Sequence, residues 1–172
     1  MVCAGCGARE FWVDGEIFFT RTFALESKSG ISGANMERSL ILLKPDCLEA
    51  GNAGRVISRF EEEGFEIRGA RLIQLTDEVL EVHYAHLMEL SFYSNIADFM
   101  KSRPVLALVL EGENAVARIR ELLGPTDSTK APAGTIRGDM GTSGMKNVCH
   151  ASDSVDNAAI EVERFFGDGG VV

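Results

Sequence analysis

The sequence is poor in the features that cross-link a chain, grip nucleic acid or span a membrane. Its four cysteines are scattered over 172 residues, which is typical of a reducing compartment rather than a disulfide framework. The 17 basic residues are outnumbered by 26 acidic ones, which argues against a general nucleic-acid-binding surface. No run of about 18 apolar residues is present, so no transmembrane helix is expected. Acidic residues interrupt the N-terminal apolar stretches, so the N-terminus does not resemble a secretory signal. A cytoplasmic protein is therefore expected.

The remaining composition predicts one folded domain preceded by an extension. Hydrophobic residues make up 45% of the chain, which is enough to bury a core. Residues 1–35 have no sustained periodicity and end in a run rich in Gly, Ser and Asn, which indicates a partly disordered extension. Cys3 and Cys6 form a C-x-x-C pair, but no second pair at zinc-site spacing follows, so a metal site there is disfavoured. The folded domain is expected over residues 36–172.

Strand and helix signals alternate along residues 36–172. The apolar run from Ser39 to Leu43 predicts a buried strand, and "VLALVLEG" predicts a central one. Strand-like patterning also covers 65–75, with Gly69 marking a bulge or a bend, and a short strand is expected near Val148. Helical spacing is found over 53–60, in a stretch after Thr76, and over 96–100, 114–123 and 153–166. This order predicts an α+β fold in which helices pack on a sheet.

The stretch from Gly124 to Met145 is rich in Gly, Pro, Thr, Ser and Asp and is predicted to be one long loop. Loops of that length are uncommon inside a compact domain and usually serve function. Within this stretch Arg137 lies among glycines that permit close approach of a ligand. Arg120, Thr126 and Lys44 supply further groups that suit phosphate oxygens, although any one of them singly is more often an ordinary surface residue. Neither a P-loop nor a Gly-x-Gly-x-x-Gly motif is present.

Histidine is scarce, with three in the chain, and His150 stands among small residues just before the last predicted helix. A single histidine is usually structural, but a neutral imidazole beside an orienting carboxylate can act as a covalent nucleophile. Glu161 lies at the edge of the apolar face of that helix. The amides at the start of the same helix favour an anion near His150. The sequence therefore suggests phosphoryl chemistry at His150.

Taken together, the motifs resemble those of the nucleoside diphosphate kinase family. The matching segments occur in order across residues 37–166 and read "ERSLILLKPD", "RFEEEGFEI", "HYAHL" followed by "FY", "PVLALVLEGENAV", "LLGPTD", "APAGTIRGD" and "NVCHASDS". The resemblance implies a ferredoxin-like βαββαβ antiparallel sheet with added helices. It also implies transfer of the terminal phosphate from a nucleoside triphosphate to a nucleoside diphosphate, with Mg²⁺, by a ping-pong mechanism with broad base specificity. A homo-oligomer, either a tetramer or a hexamer built from dimers, is expected from the same resemblance.

The resemblance also assigns roles to individual residues. His150 matches the phosphohistidine, Glu161 the carboxylate that orients its ring, and Ser152 the serine that supports Glu161. The remaining matches concern the nucleotide: Lys44 for phosphates and ribose, Tyr84 beside the nucleophile, Phe92 under the base, Arg120, Thr126 and Arg137 for the phosphates, and Asn147 for the ribose 3′-hydroxyl. The ion is expected to be held mainly by the nucleotide phosphates rather than by a protein metal site.

This sequence departs from the family pattern at a few positions. Ala151 and Lys146 stand where the family usually has glycine and arginine, and Met140 stands where it commonly has phenylalanine. Ser128 replaces a proline associated with oligomer contacts, which leaves the size of the assembly open. The fold could also serve two other functions, as a regulatory module that binds nucleotides without turnover or as an oligomeric scaffold. Both are disfavoured because neither explains why His150, Glu161 and the cationic residues occur together.

Overall fold

The structure is a computed structural model and describes residues 8–13, 16–21 and 35–172. The chain divides into two compact units, Met1–Gly33 and Ala34–Val172. In the first unit, strands β1 (Ala8–Val13) and β2 (Glu16–Arg21) pair in antiparallel fashion, and the sequence had not predicted them. The expected disorder of the extension falls largely on residues outside those described, and so does the C-x-x-C pair.

The second unit is built on a four-stranded antiparallel sheet. Its strands are β3 (Met36–Leu43), β4 (Glu66–Ile73), β5 (Val105–Glu113) and β6 (Cys149–Ala151). Their spatial order is β4-β5-β3-β6, and each neighbouring pair is antiparallel. With a helix crossing between β3 and β4 and another between β5 and β6, this is the ferredoxin-like βαββαβ arrangement. The predicted fold class is confirmed.

Short helices connect and cover the strands. The helices are α1 (Pro45–Glu49), α2 (Ala53–Glu62), α3 (Asp77–His83), α4 (Tyr93–Lys101), α5 (Ala115–Leu123), α6 (Ile136–Met140) and α7 (Val155–Phe166), with 3₁₀ turns at Ala85–Leu87 and Ser128–Lys130. Within the part of the chain that the structure describes, no helix combines the length and apolar character needed to cross a membrane.

Strand β3 is buried on both faces, which explains why its sequence is almost continuously apolar. Ile41 and Leu43 pack into one core layer with residues of α2 and α5. Leu40 and Leu42 pack into the opposite layer with residues of α3, α4 and α7. The strand therefore holds its carboxyl end, where Lys44 follows, in a rigid position between two cores.

The predicted irregularity at Gly69 is confirmed. The register between β4 and β5 shifts between Ile67 and Gly69, as a β-bulge requires. A Cβ atom at this glycine would lie 2.8 Å from the carbonyl oxygen of Gly170. The absence of a side chain lets the C-terminal residues lie against β4, where Val171 forms a bridge with Gly69.

The prediction of one long loop over 124–145 is wrong in part. This stretch contains helix α6 and the 3₁₀ turn Ser128–Lys130. Helix α6 spans five residues and includes a glycine, so it is too short to show helical periodicity. Its start is nevertheless capped, because the hydroxyl oxygen of Thr135 accepts a hydrogen bond from the amide of Gly138 at 3.1 Å. Helix α1 was missed for the same reason of length.

Candidate active site

A chain of hydrogen bonds links His150, Glu161 and Ser152. The Nε2 atom of His150 lies 3.1 Å from both carboxylate oxygens of Glu161. The hydroxyl of Ser152 donates to Oε2 of the same carboxylate at 2.6 Å. Because an ionised carboxylate only accepts, Nε2 carries the proton and Nδ1 of His150 keeps its lone pair. That lone pair has no hydrogen-bond partner among residues 35–172.

Each member of this chain is fixed by the sheet or by the last helix. His150 lies in β6, opposite Leu42 of β3, and is partly exposed. Ser152 is fully buried and exchanges hydrogen bonds with Leu40 through its amide and its hydroxyl oxygen. Glu161 projects from α7. Burial alone would raise the pKa of Glu161, but the hydrogen bonds from His150 and Ser152 prevail and lower it. The carboxylate therefore stays ionised.

The lysine at the end of β3 is held against the segment that precedes the histidine. The Nζ atom of Lys44 donates to Oδ1 of Asn147 at 2.6 Å, and the Asn147 amide donates to the carbonyl oxygens of Thr126 and Gly144. Burial is the largest influence on Lys44 and lowers its pKa to about 8. Asn147 thus joins the lysine to two loops that face the same space.

A strained turn sets the direction in which β6 begins. Val148 has a φ of 75°, which is rare for a β-branched residue, and the amide of Cys149 bonds back to the carbonyl of Asn147 at 2.8 Å. The carboxylate of Asp46 accepts the Val148 amide at 3.0 Å, and the Lys44 amide donates to the Val148 carbonyl at 2.9 Å. The "KPD" motif therefore holds this turn through Asp46, a residue that the sequence analysis did not single out.

Arg137 is almost fully buried and serves as a brace as well as a charge. It donates to the carbonyl oxygens of Gly124, Asn147 and Cys149 at 2.9, 3.4 and 2.9 Å. Burial is the first cause that lowers the pKa of this arginine, and the nearby Arg120 adds to the effect. Its guanidinium thus ties α6 to the start of β6. The guanidinium also contributes positive charge to the cavity that His150 lines.

These groups line one cavity of about 1190 Å³. The sequence-predicted site residues on its wall are Lys44, Tyr84, Phe92, Arg120, Thr126, Arg137, Asn147, His150 and Glu161. Ser152 is not on the wall, but its hydroxyl donates a hydrogen bond to Glu161, which is. The structure therefore brings together every candidate that the sequence named. Phe92 stands at the opening with 47% of its surface exposed.

Two further residues, His83 and Arg164, line the same cavity and were not predicted from the sequence. His83 is buried, with its ring centroid 4.6 Å from that of His150. Its Nδ1 atom lies 3.1 Å from Nη1 of Arg164 and 3.7 Å from Oε1 of Glu161. In the sequence, the only indication of a role for His83 was its position before Tyr84 in the "HY" motif.

A metal site in the described part of the chain would have to be built from His83, His150 and Glu161. Among the described residues, His83, His150 and Glu161 form the one group of three such side chains whose ligand atoms lie within 4.8 Å of one another. However, the Nδ1 lone pair of His83 accepts from Arg164, and Glu161 is occupied by His150 and Ser152. The Nδ1 atom of His83 and the carboxylate of Glu161 are thus already engaged in hydrogen bonds, and the group is not arranged as a metal centre.

The comparison with protein families decides the identity of this fold and cavity. The family model described as "Nucleoside diphosphate kinase" matches residues 37–171. The chain belongs to the nucleoside diphosphate kinase family. The match covers every residue on the cavity wall, and the resemblance inferred from the sequence motifs is confirmed.

Individual relatives agree with this assignment. A nucleoside diphosphate kinase of Anaeromyxobacter dehalogenans is 50% identical over 131 residues, which cover 76% of this chain and 89% of the relative. One from Staphylothermus marinus is 41% identical over 138 residues, covering 80% and 98%. The crystal structure of the Aquifex aeolicus nucleoside diphosphate kinase superposes with a TM-score of 0.76 at 41% identity, covering 80% and 99%. The Halobacterium salinarum nucleoside diphosphate kinase, solved in complex with CDP, gives 0.76 at 35% identity, covering 79% and 91%.

Membership establishes the activity. Nucleoside diphosphate kinases are phosphotransferases that move the terminal phosphate of a nucleoside triphosphate to a nucleoside diphosphate, and this chain is such an enzyme. The family reaction is ping-pong and passes through a phosphohistidine.

Proposed function

We propose that His150 is the phosphate carrier of this nucleoside diphosphate kinase and that its Nδ1 atom is the nucleophile. One observation carries the proposal: Glu161 engages Nε2, which leaves the Nδ1 lone pair free in a residue on the wall of the cationic cavity. Ser152 keeps Glu161 in place through its 2.6 Å hydrogen bond.

The transfer proceeds in two in-line displacements at the same nitrogen. In the first, Nδ1 forms a bond to the γ-phosphorus while the bond from that phosphorus to the β–γ bridging oxygen breaks, and a nucleoside diphosphate leaves. In the second, a terminal β-phosphate oxygen of another diphosphate attacks the phosphorus, and the P–N bond breaks. The Nε2 proton stays between His150 and Glu161 throughout, so the positive charge of the phosphorylated ring is balanced by the carboxylate.

Positive charge around His150 stabilises the transferring group. Arg137 and Lys44 are held rigidly by their bonds to the β6 turn, while Arg120 is exposed on the cavity wall. The hydroxyl of Thr126 adds a neutral contact to a phosphate. Because phosphoryl transfer offers the protein little covalent chemistry beyond the carrier itself, such preorganised charge supplies most of the acceleration.

The nucleoside part binds at the open end of the cavity. Phe92 stacks under the base, and stacking without contacts to the base edges gives broad base specificity. Asn147 and Lys44 contact the ribose, and Tyr84 lies beside the nucleophile. Tyr84 is buried, which raises the pKa of its hydroxyl and keeps it protonated as a donor. The CDP complex of the Halobacterium salinarum relative supports nucleotide binding in this fold.

Magnesium is the proposed cofactor, bound mainly through the nucleotide phosphates. The donor set of the cavity fits this mode, because the described residues offer no cluster of free carboxylates that could cage the ion. Mg²⁺ commonly binds through substrate phosphates with few protein ligands. When bound it neutralises phosphate charge, while the residues of this chain position the nucleotide.

Three broader assignments are part of the same proposal. The enzyme is a homo-oligomer, a tetramer or a hexamer built from dimers, and the exposure of Ile67 and Leu72 on the edge strand β4 supports a subunit contact there. Its domain is residues 36–172, with 1–35 as an extension. The scattered placement of the four cysteines supports a cytoplasmic location.

Incubation with γ-labelled ATP tests the proposed carrier. The wild-type protein should take up an acid-labile, base-stable label and should lose it on addition of GDP. His150→Ala should take up none, and His86→Ala is the matched control because His86 also lies on the cavity wall. Label that persists in His150→Ala, or nucleotide binding without any label in the wild type, would contradict the proposal.

Glu161 should matter less than His150. Glu161→Gln keeps the shape and an oxygen that accepts from Nε2, so we expect slower turnover with the label still formed. Glu161→Ala removes the acceptor and should be slower still, because the ring loses its orientation. Rapid-quench measurement of label formation checks this order. Equal rates in the two variants and the wild type would refute an orienting role.

A further inference from the structure

We infer that Arg164 is a positioning residue that acts through His83: it holds His83 in the tautomer that cannot compete with His150 for Glu161. The inference rests on the proposed roles of His150 and Glu161 and adds a control element to them. Arg164 lies on the last turn of α7, one turn after Glu161, and His83 is the last residue of α3. Their contact therefore joins two helices directly behind the reacting imidazole.

The geometry determines the tautomer of His83. A guanidinium has only donors, so the 3.1 Å contact between Arg164 Nη1 and His83 Nδ1 makes Nδ1 an acceptor. A neutral ring then carries its proton on Nε2. That Nε2 atom is buried and has no hydrogen-bond partner among the described residues. This tautomer leaves the Nε2–H group of His83 without a hydrogen bond, which costs free energy. The contact with Arg164 therefore selects the tautomer, and hydrogen bonding by Nε2 does not.

The opposite tautomer would disturb the site. With its proton on Nδ1, His83 would point a donor at Oε1 of Glu161, 3.7 Å away, and a small rotation would close that distance to a hydrogen bond. Oε1 is one of the two oxygens that now face Nε2 of His150. The carboxylate would then be shared between two imidazoles, and the His150 ring would lose part of the support that aims Nδ1.

The charge of His83 follows the same logic. The groups that face it are His150 on β6, Glu161 and Arg164 on α7, and His86 on the 3₁₀ turn. Burial comes first among the causes that lower the pKa of His83 to about 3, and His150 and Arg164 add to it while Glu161 opposes it. A protonated His83 would place a second positive charge beside Glu161. These surroundings favour the neutral form of the ring.

Two variants of Arg164 separate the donor from the rest of the side chain. Arg164→Leu removes the donor, and Arg164→Lys retains one. In Arg164→Leu, ¹⁵N NMR of the imidazoles should show the His83 proton moved from Nε2 toward Nδ1. The kcat should fall about fivefold, the order of loss expected when one supporting hydrogen bond is removed, with the KM for nucleotide unchanged. Arg164→Lys should stay close to the wild type in both measurements.

A double-mutant cycle decides whether Arg164 acts through His83. In a His83→Phe background, Arg164→Leu should cause no further loss of kcat. The same loss in that background, or a loss confined to KM, would mean that Arg164 contacts the nucleotide directly, and would overturn the inference. A lower melting temperature with unchanged kcat would make the contact merely structural. Should His83→Phe fail to fold, an unchanged His83 tautomer in Arg164→Leu is sufficient to refute the inference.

This outcome is distinguishable from failure of the proposed carrier. If His150→Ala still takes up label, the role of His150 is wrong, yet the tautomer of His83 in the wild type and in Arg164→Leu remains measurable. If His150 is the carrier and the tautomer does not respond to Arg164, only the present inference fails.

Discussion

The position of Lys44 in the fold lowers its pKa. It follows an apolar strand, and its Nζ is held by Asn147 and surrounded by protein. Removal from water disfavours the charged ammonium more strongly than the nearby Asp46 favours it, so the pKa of Lys44 falls to about 8. A phosphate bound beside it would favour the charged form and raise that pKa again.

This shift predicts an alkaline limit to nucleotide capture. Because the ammonium loses its proton as pH rises through about 8, kcat/KM should decline above that pH, while kcat at saturating nucleotide should decline less. The Lys44→Arg variant should show no decline in kcat/KM above that pH, whatever its absolute rate, since a guanidinium stays charged. The measurement is a pH profile of both constants in wild type and variant. A kcat/KM that stays flat above the pKa of Lys44 would contradict the assignment.

Residue roles of this kind were only partly accessible from the sequence. Motifs predicted His150, Glu161 and Lys44 as site residues because the pattern of residue types around each is specific. His83 and Arg164 carried no such signal, since they are 81 residues apart and meet only when α3 and α7 pack together. Asp46 was visible within "KPD", but its bond to the Val148 amide spans 102 residues and could not be foreseen.

At the scale of elements, helix α6 positions the most buried cation of the site. It carries Arg137 between Gly124 and β6, and its first turn is capped by Thr135. A salt bridge between Arg59 and Asp139 at 3.0 Å attaches the helix to α2. Gly138 is essential to this placement, because a Cβ atom there would collide with the carbonyl oxygen of Pro132.

Substitution of this glycine should displace the helix. Gly138→Ala is expected to destabilise the protein by about 1–3 kcal/mol, as overpacking against backbone does, and to raise the KM for nucleotide by moving Arg137. Gly54→Ala is the matched control: it lies in helix α2 with nothing near its Cβ position, and it should be neutral or stabilising by about 0.5–1 kcal/mol. Chemical denaturation and steady-state kinetics check both. Equal effects of the two substitutions would rule out the collision.

Most of the elements that the sequence predicted have a long period or a strong apolar run, and the short strand β6 and helix α3 were predicted as well. Strands β3 and β5 and helices α2, α5 and α7 were anticipated because burial imposes a repeating pattern over eight residues or more. Helices α1 and α6 span five residues each, and their existence depends on capping and on contacts with distant segments. Local periodicity carries no information about such contacts.

At the scale of the whole molecule, the candidate active site belongs to the second unit. The cavity is lined by residues between Lys44 and Arg164, and the family match begins at residue 37. The first unit, Met1–Gly33, precedes that match. The residues that hold the site in place, from Leu40 to the last helix, also lie within the second unit.

Removal of residues 1–33 should therefore leave catalysis intact. We expect kcat/KM of the shortened chain to remain within about twofold of the full chain, because terminal extensions outside a core tolerate truncation. Steady-state assays of the two proteins give the comparison, and light scattering on both measures the assembly. A large loss of kcat/KM with the assembly unchanged would show that the extension contributes to the site.

The sequence by itself determined the family and the order of the main elements, and it predicted the candidate reacting groups. It could do so because the chemistry of phosphate transfer demands particular residue types, and burial demands particular periods. The tertiary structure alone decided which nitrogen of His150 is free, how far burial lowers the pKa of Lys44, and that Arg164 meets His83. These properties depend on distances and solvent exclusion between segments far apart in the chain, and those arise only when the sheet and its helices pack together.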